Sequence, residues 1–320
     1  MSSDHTISGF PYGSSCGEGI AVRGNALTIS SPAKLNVFLE VRSKRPDGYH
    51  ELDTVMLRTE FADQLTVRPT QTSALSLRFS EATSEALQSG VPLDHRNLIL
   101  QAAAAMKLRL GIATGAEFTL HKRIPPESGL GGGSSNAAAA LLLCRQLWQP
   151  DVSDSVLHEI AAALGSDINF FLSRRAAAVC HGRGEIIEPI RLARKYYFVA
   201  LRPSQGNSTA TVFRSMSLPE RPRTSKCIVD VLSGHLEASL ESHLFNRLTE
   251  AAGSVNPAMS TLIERVTRLS RKPVFMSGSG STVFVACSGH PEATRLQAHI
   301  RASLHQSTWL LCVVPDDVSA

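Results

Sequence analysis

KRIPPESGLGGGSSNAAAALLLCRQLW, residues 122–148, is the stretch whose reading decides the fold. It runs from a basic strand end, through a glycine- and serine-rich turn, into an apolar helix that carries no charge until Arg145. Gly129, Gly131, Gly132 and Gly133 remove side chains where a backbone must turn sharply and approach something closely. Ser134, Ser135 and Asn136 then offer hydroxyl and amide groups at the helix start, where the first backbone N–H groups have no intrahelical partner. Free N–H groups and the positive end of a helix dipole suit an anion, typically phosphate. Residues Ala137 to Leu143 are apolar on nearly every side, so a buried, fixed helix is expected behind the cradle. No lysine followed by serine or threonine ends the loop, which excludes a Walker-type P-loop. Ser134 stands where a Rossmann loop needs its third glycine. The bland alternative is an ordinary Gly/Ser-rich connection before a helix.

Outward from this stretch, 320 residues suit two modest domains, and a 43% hydrophobic share gives ample core. The formal charge of +4 is mild. The short basic runs (Lys44–Arg45, Arg174–Arg175, Arg194–Lys195) have no interleaved aromatics, which argues against nucleic acid and leaves anionic small substrates as partners. Cys16, Cys144, Cys180, Cys227, Cys287 and Cys312 lie far apart without zinc spacing and read as thiols in a reducing compartment. No apolar run reaches membrane length, and the start lacks the profile of a secretion signal. The expectation is a soluble cytoplasmic protein with no membrane partner, a monomer or weak homodimer.

Residues 1–26 are Ser- and Gly-rich and aperiodic, and read as a disordered or loosely attached extension. Leu27 to Val41 reads as a strand burying one face, with Ala33, Leu35, Val37, Leu39 and Val41 on it and Lys34, Asn36 and Phe38 on the other. The turn RPDGYH (Arg45 to His50) joins it to further strands over 51–59, 64–68 and 74–79. A helix is expected over 97–110, a strand over 116–121, and a helix through Val156, Leu157, Ile160, Ala161 and Leu164. Beyond a boundary near 191–195, strands are expected at 176–180 before it and at 196–201, 274–287 and 310–314 after it. Helices are expected near 239–251, 259–267 and 291–304.

Read locally, Asp167 is a helix-capping aspartate and Lys34 a strand lysine facing water. Tyr49 is a turn tyrosine in surface packing. MSGSGSTVFVA (Met276 to Ala286) is a tight hairpin turning at Gly278 and Gly280.

Together the segments say more. PxxxGLGGGSSNA, with Pro125, Leu130 and the loop residues above, resembles the second motif of the GHMP kinases, the superfamily of galactokinase, homoserine kinase and mevalonate kinases. MSGSGSTVFVA resembles their third motif, and SPAKLNVFLEV the first motif of the branch that acts on a cytidine diphosphate derivative of methylerythritol. GSDINFF and RPDGYHEL resemble segments of the same branch. The likeness runs from about Ser30 to Val285 in the family's order. It implies an α+β, two-domain GHMP kinase fold: a ribosomal protein S5 domain 2-like domain over 27–192 and a ferredoxin-like domain over 193–320.

The resemblance further implies that Pro125, Gly129, Leu130, Gly131, Gly132, Gly133, Ser134, Ser135 and Asn136 hold ATP phosphates, with Mg²⁺ accompanying the nucleotide, and that Asn97 lies on the adenine side. Asp167 would take the proton from the substrate hydroxyl, with Lys34 paired to it. Tyr49 and Phe213 would stack on cytosine, His50 would bond its edge, and Asn36 and Thr209 would touch substrate. The implied reaction moves the γ-phosphate of ATP to the 2-hydroxyl of 4-diphosphocytidyl-2-C-methyl-D-erythritol. Another GHMP kinase, for mevalonate, homoserine or a sugar, is the nearest alternative, and a silent nucleotide-binding module the more distant one. Glu127 and Ser128 stand where the family has glycine and alanine, and Ser281 where it has a small residue or proline. A carboxylate at Glu127 would repel a triphosphate, so it is expected to face solvent.

Overall fold

Two long antiparallel strands, Ala26–Lys44 and His50–Thr70, joined by the turn at 45–49, form the frame on which both lobes are built. The structure, a computed structural model, describes His5–Thr6 (backbone) and residues 19–316. Around the long pair a mixed sheet assembles: Gly115–His121 pairs with the far half of His50–Thr70, and Ala177–Gly182 with its near half. The strand Leu75–Phe79 adds in parallel to Gly115–His121. The helices Leu98–Leu110 and Gly132–Trp148 cover one side of this sheet. Alanine at 102, 103 and 137–140, all buried, lets them lie close together.

The second lobe is a four-stranded antiparallel sheet from Tyr196–Leu201, Phe275–Met276, Val283–Cys287 and Thr308–Val313. Counted in chain order within the lobe, its strands lie fourth, first, third, second, the ferredoxin-like order the resemblance implies. The helices Pro257–Ser270 and His290–Leu304 pack on one face, and both begin with proline in the first turn. The other face meets the near half of the long pair, where Leu35, Val37 and Phe38 share a core with Phe198 and Phe284.

Several expectations change. The first strand does not bury one face only, for residues 31–41 are buried on both. Helices cover one side there and the second lobe the other. Its alternation also breaks, at register shifts between Pro32 and Lys34, Asn36 and Phe38, and Val41 and Ser43. Phe38 therefore leaves the Lys34–Asn36 face and joins the core with Leu35 and Val37. The expected strands at 51–59 and 64–68 are one strand, because residues 60–63 contain neither glycine nor proline and stay paired, Ala62 with Pro32 and Asp63 with Ser31. The helix expected over 239–251 is a short 3-10 turn (Leu240–His243), a strand (Phe245–Asn246) parallel to Phe38–Leu39, and a helix, Thr249–Val255. Asn246 explains the break: its Nδ2 donates to the carbonyls of Met276 and Gly278, each at 2.8 Å, and its Oδ1 accepts from Leu248 N at 2.9 Å. Of the N-terminal extension, Ala21–Arg23 is a strand paired with Ala26–Thr28 and with His5–Thr6. The expectation for residues 1–4 and 7–18 lies outside the described residues.

Candidate active site

The glycine turn is held from below by backbone bonds. Leu130 O accepts from Lys34 N at 2.9 Å, and Ser128 O accepts from Thr282 N at 3.1 Å, so all three glycine- or lysine-bearing segments meet here. Gly129 and Gly131 have φ of +76° and +70°, the left-handed region that glycine enters without strain. A Cβ on Gly129 would stand 2.3 Å from Ser277 O, and one on Gly131 would stand 2.9 Å from Lys34 Cγ and 3.0 Å from Phe171 Cζ. The turn is thus clamped between the first strand and the Gly278–Gly280 turn, where Ser277 Oγ donates to Gly129 O at 3.1 Å. Gly133 is exposed and Ser134 half-exposed, so the open side of the loop lies at the start of the helix Gly132–Trp148. Glu127 is exposed, as expected, and its charge acts on Arg202 nearby.

Behind the loop lies a buried polar layer that the sequence does not reveal. Asp63, wholly buried, accepts from Lys122 Nζ (2.5 Å), Arg123 N (2.6 Å), Ile124 N (2.8 Å) and Asn136 Nδ2 (3.0 Å). Asn136 Nδ2 also donates to Ser31 Oγ, and Ser31 Oγ donates to Ser135 Oγ at 2.9 Å. Burial pulls Lys122 below the ordinary lysine range, against the attraction of Asp63. Asn136 and Ser135 therefore brace the loop from inside, and Ser134 is the hydroxyl left on the open side. Asn97 likewise caps the helix Leu98–Leu110: its Oδ1 accepts from Ile99 N at 2.9 Å and its Nδ2 donates to Pro92 O at 2.6 Å. Pro125 is buried, and its carbonyl takes the Ser128 hydroxyl at 2.7 Å.

Lys34 is not a water-facing lysine. It is 3% exposed, and its Nζ lies 3.6 Å from Asp167 Oδ2 and donates to Asn36 Oδ1. Asp167 stands at the N-cap of the short helix Ile168–Ser173, yet its side chain makes no capping bond. The carboxylate faces Lys34 instead and keeps 28% of its surface open. Asn36 is fixed in turn by Nδ2 donating to Thr54 Oγ1 (2.8 Å) and by its N donating to Ser277 Oγ (3.1 Å). The turn at 181–185 closes the other side, since a Cβ on Gly184 would sit 3.6 Å from Asp167 Oδ1. The result is a fixed ammonium beside a half-open carboxylate, next to the glycine turn. That arrangement can accept a hydroxyl proton while a neighbouring cation steadies developing negative charge.

The aromatic residues lie nearby but are held more loosely. His50 stacks on Phe213, centroids 5.1 Å apart and planes at 29°. Tyr49 is 53% exposed, with the Arg183 guanidinium over its ring at 4.7 Å. Burial, and then Lys44, hold His50 below its ordinary 6.5. Thr209 begins the helix Thr209–Ser215 and its hydroxyl is 2.8 Å from Ser279 Oγ, which ties this cluster to the Gly278–Gly280 turn. Sequence reading missed Ser31, Asp63, Thr54, Ser277 and Arg183. Ser31 and Ser277 lie inside quoted motifs, whereas nothing local marks Asp63. Among the described residues no three His, Cys, Asp or Glu side chains gather as a metal cage.

Comparison with known proteins gives the same picture. Residues 97–174 match the model of the GHMP kinases N-terminal domain, and residues 233–306 that of the GHMP kinases C-terminal domain. The chain is 34% identical over 275 residues to the 4-diphosphocytidyl-2-C-methyl-D-erythritol kinase of Shouchella clausii, covering 86% of this chain and 90% of that one. It is 35% identical to the enzyme of the same name from Desulfotalea psychrophila, over 81% of this chain and 84% of the other. A crystal structure of a 4-(cytidine 5'-diphospho)-2C-methyl-D-erythritol kinase superimposes with a TM-score of 0.72 at 31% identity, covering 90% of this chain and 99% of that one. The mevalonate kinase of Methanococcus jannaschii, at 13% identity and a TM-score of 0.61 over 92% of this chain and 99% of its own, shares the fold.

Proposed function

The chain belongs to the 4-diphosphocytidyl-2-C-methyl-D-erythritol kinases, a family of GHMP kinases, and from that membership we propose how its own residues carry the transfer of the ATP γ-phosphate to the substrate 2-hydroxyl. The reaction belongs to the non-mevalonate route to isoprenoid precursors. The observation that carries the assignment of roles is the Lys34–Asp167 pair at 3.6 Å, uncommitted to any helix cap and set beside the glycine turn.

Phosphoryl transfer runs through a loose transition state, so position and charge outweigh base strength. The backbone N–H groups of Gly131 to Ser134, at the start of a long buried helix, hold the triphosphate. Asp167 orients the acceptor hydroxyl and receives its proton, worth about 10²- to 10⁴-fold in rate. Lys34, pinned by Asn36, fixes the carboxylate and lowers the cost of the charge that develops between hydroxyl and phosphate. Tyr49 and Phe213 present faces for the cytosine, neutral His50 its edge, and Thr209 a hydroxyl. Asn97 lies on the adenine side through the helix end it caps. The boundary at 192/193 assigns the glycine turn to one domain and Thr209 and Phe213 to the other, so substrate is held across both.

Mg²⁺ would be carried by the nucleotide's phosphates. The donor set near the loop is one half-exposed hydroxyl, Ser134, and one half-open carboxylate, Asp167, which fits an ion carried by phosphates and water better than one in a protein cage. When bound, it neutralises phosphate charge. Among the described residues no helix is long and apolar enough to cross a membrane. We place the enzyme in the cytoplasm as a monomer or weak homodimer acting on small molecules, without nucleic acid.

An ATP-coupled assay tests the reading, with the cytidine diphosphate substrate, mevalonate and homoserine offered side by side. Turnover of the first alone is expected. Turnover of mevalonate or homoserine in preference to it would give the chain to another GHMP branch, and no turnover of any would make it a silent binding module.

A further inference from the structure

A cleft of about 750 Å³ opens between the lobes; of the residues described above, Lys122 and Arg123 line it, while Lys34, Asp167 and the glycine turn do not. The first lobe contributes Phe61, His121 and Arg123, and the last helix and strand contribute Arg301, His305 and Trp309. Its wall is charged with one sign. Of thirteen lining residues three carry positive charge (Lys122, Arg123 and Arg301), two are histidines and none is acidic. Lys122 is already matched by Asp63, but Arg123 and Arg301 have no carboxylate partner among the described residues. Arg123 lies over the Phe61 ring at 5.3 Å, and Phe61 faces Trp309 with centroids 6.0 Å apart and planes at 30°. Arg301 reaches across to Thr308 O at 3.3 Å. Two buried polar atoms at this end, Thr308 Oγ1 and Gln306 Oε1, have no hydrogen-bond partner among the described residues.

We propose that this cleft is a second ligand site, which takes a small organic phosphate bearing an apolar or planar group. A cleft lined by one sign of charge with low-dielectric walls concentrates counter-ions. Arginine forks match phosphate oxygens, and the Phe61–Trp309 edge receives a flat or hydrocarbon portion. None of the glycine-turn residues 129–136 lines the cleft. The buried Lys122–Asp63–Asn136 layer stands between the two, with every member already bonded to another.

Phenyl phosphate is a probe with both halves. The full chain, with a non-hydrolysable ATP analogue at saturation so that the glycine turn is occupied, is titrated with it by calorimetry and tryptophan fluorescence. One equivalent should bind with a change in emission. Arg123→Gln and Arg301→Gln, both at exposed positions and each checked for folding by circular dichroism, should each weaken binding about tenfold. Trp309→Phe should abolish the optical change while calorimetric binding persists. Phenol, lacking the charge, should not bind, and inorganic phosphate, lacking the ring, should bind more weakly than phenyl phosphate. Absence of saturable binding, or binding equal in both arginine variants and wild type, overturns the site. Inorganic phosphate binding as tightly as phenyl phosphate overturns the apolar half of the proposal.

Discussion

The corner proposed to hold phosphate and proton and the corner proposed to hold the base ring are built in opposite ways. At the first, Lys34, Asn36, Thr54, Ser277 and the glycine turn are buried or backbone-locked, and each polar atom named has a partner inside the protein. At the second, Tyr49 is half in solvent, and the rings of His50 and Phe213 rest on each other. Preorganised charge is worth most where charge develops, and such groups must not move at the moment of reaction. Recognition of a flat base tolerates looser partners, because a ring that stacks on a neighbour can exchange it for the ligand at small cost. The difference teaches that chemistry here is fixed in advance while specificity is completed by the substrate.

If that contrast is right, damage to the first corner should appear in kcat and stability, and damage to the second in KM for the cytidine substrate. The largest effect is expected for Lys34→Met, which leaves Asp167 without its cation. Steady-state kinetics should show kcat down about a hundredfold or more with ATP binding kept. A loss confined to KM would place Lys34 in binding rather than chemistry. Next comes a pair of glycines in one loop. Gly129→Ala forces a Cβ to within 2.3 Å of a backbone carbonyl at φ +76° and should cost about 2–4 kcal/mol in chemical denaturation. Gly133→Ala meets nothing closer than Leu98 Cδ1 at 3.8 Å and should leave stability near wild type. Equal melting of the two would break the picture of a clamped turn.

At the second corner, Tyr49→Ala and Phe213→Ala should each raise KM for the cytidine substrate by about tenfold, the worth of one stacked ring, with kcat and KM for ATP little changed. A fall in kcat of the same size would erase the contrast. The smallest effect concerns pH. Burial and Lys44 keep His50 below 6.5, so the folded state takes up this proton less readily than the unfolded chain. Its contribution is therefore complete above that value and is lost as pH falls through it toward the lower folded value. KM for the cytidine substrate should stay flat as pH falls through 6.5 and rise a few-fold only below it. A rise already complete at 6.5 would mean that His50 is not held neutral.

Much of this was legible in the residues because the signals are local. The glycine turn needs glycine at positive φ, the helix behind it needs small apolar residues, and proline opens both late helices. What escaped is non-local. No pattern near Asp63 announces that three backbone or side-chain donors from residues 122–124 will converge on it. The bulges that turn Phe38 inward depend on which strand lies alongside. The break of the helix expected near residue 246 depends on carbonyls thirty residues on, which Asn246 reaches only after folding. Asp167 was ambiguous for the same reason: its position is that of a cap, and only the fold shows that its carboxylate turns to Lys34.

The most direct test of the central claim is a single-turnover measurement on Asp167→Asn, with ATP and the cytidine substrate both bound. Asp167 as proton acceptor beside a fixed Lys34 predicts that both ligands bind as in wild type while the transfer step slows by about a hundredfold or more. Transfer at near wild-type speed in that variant would contradict it.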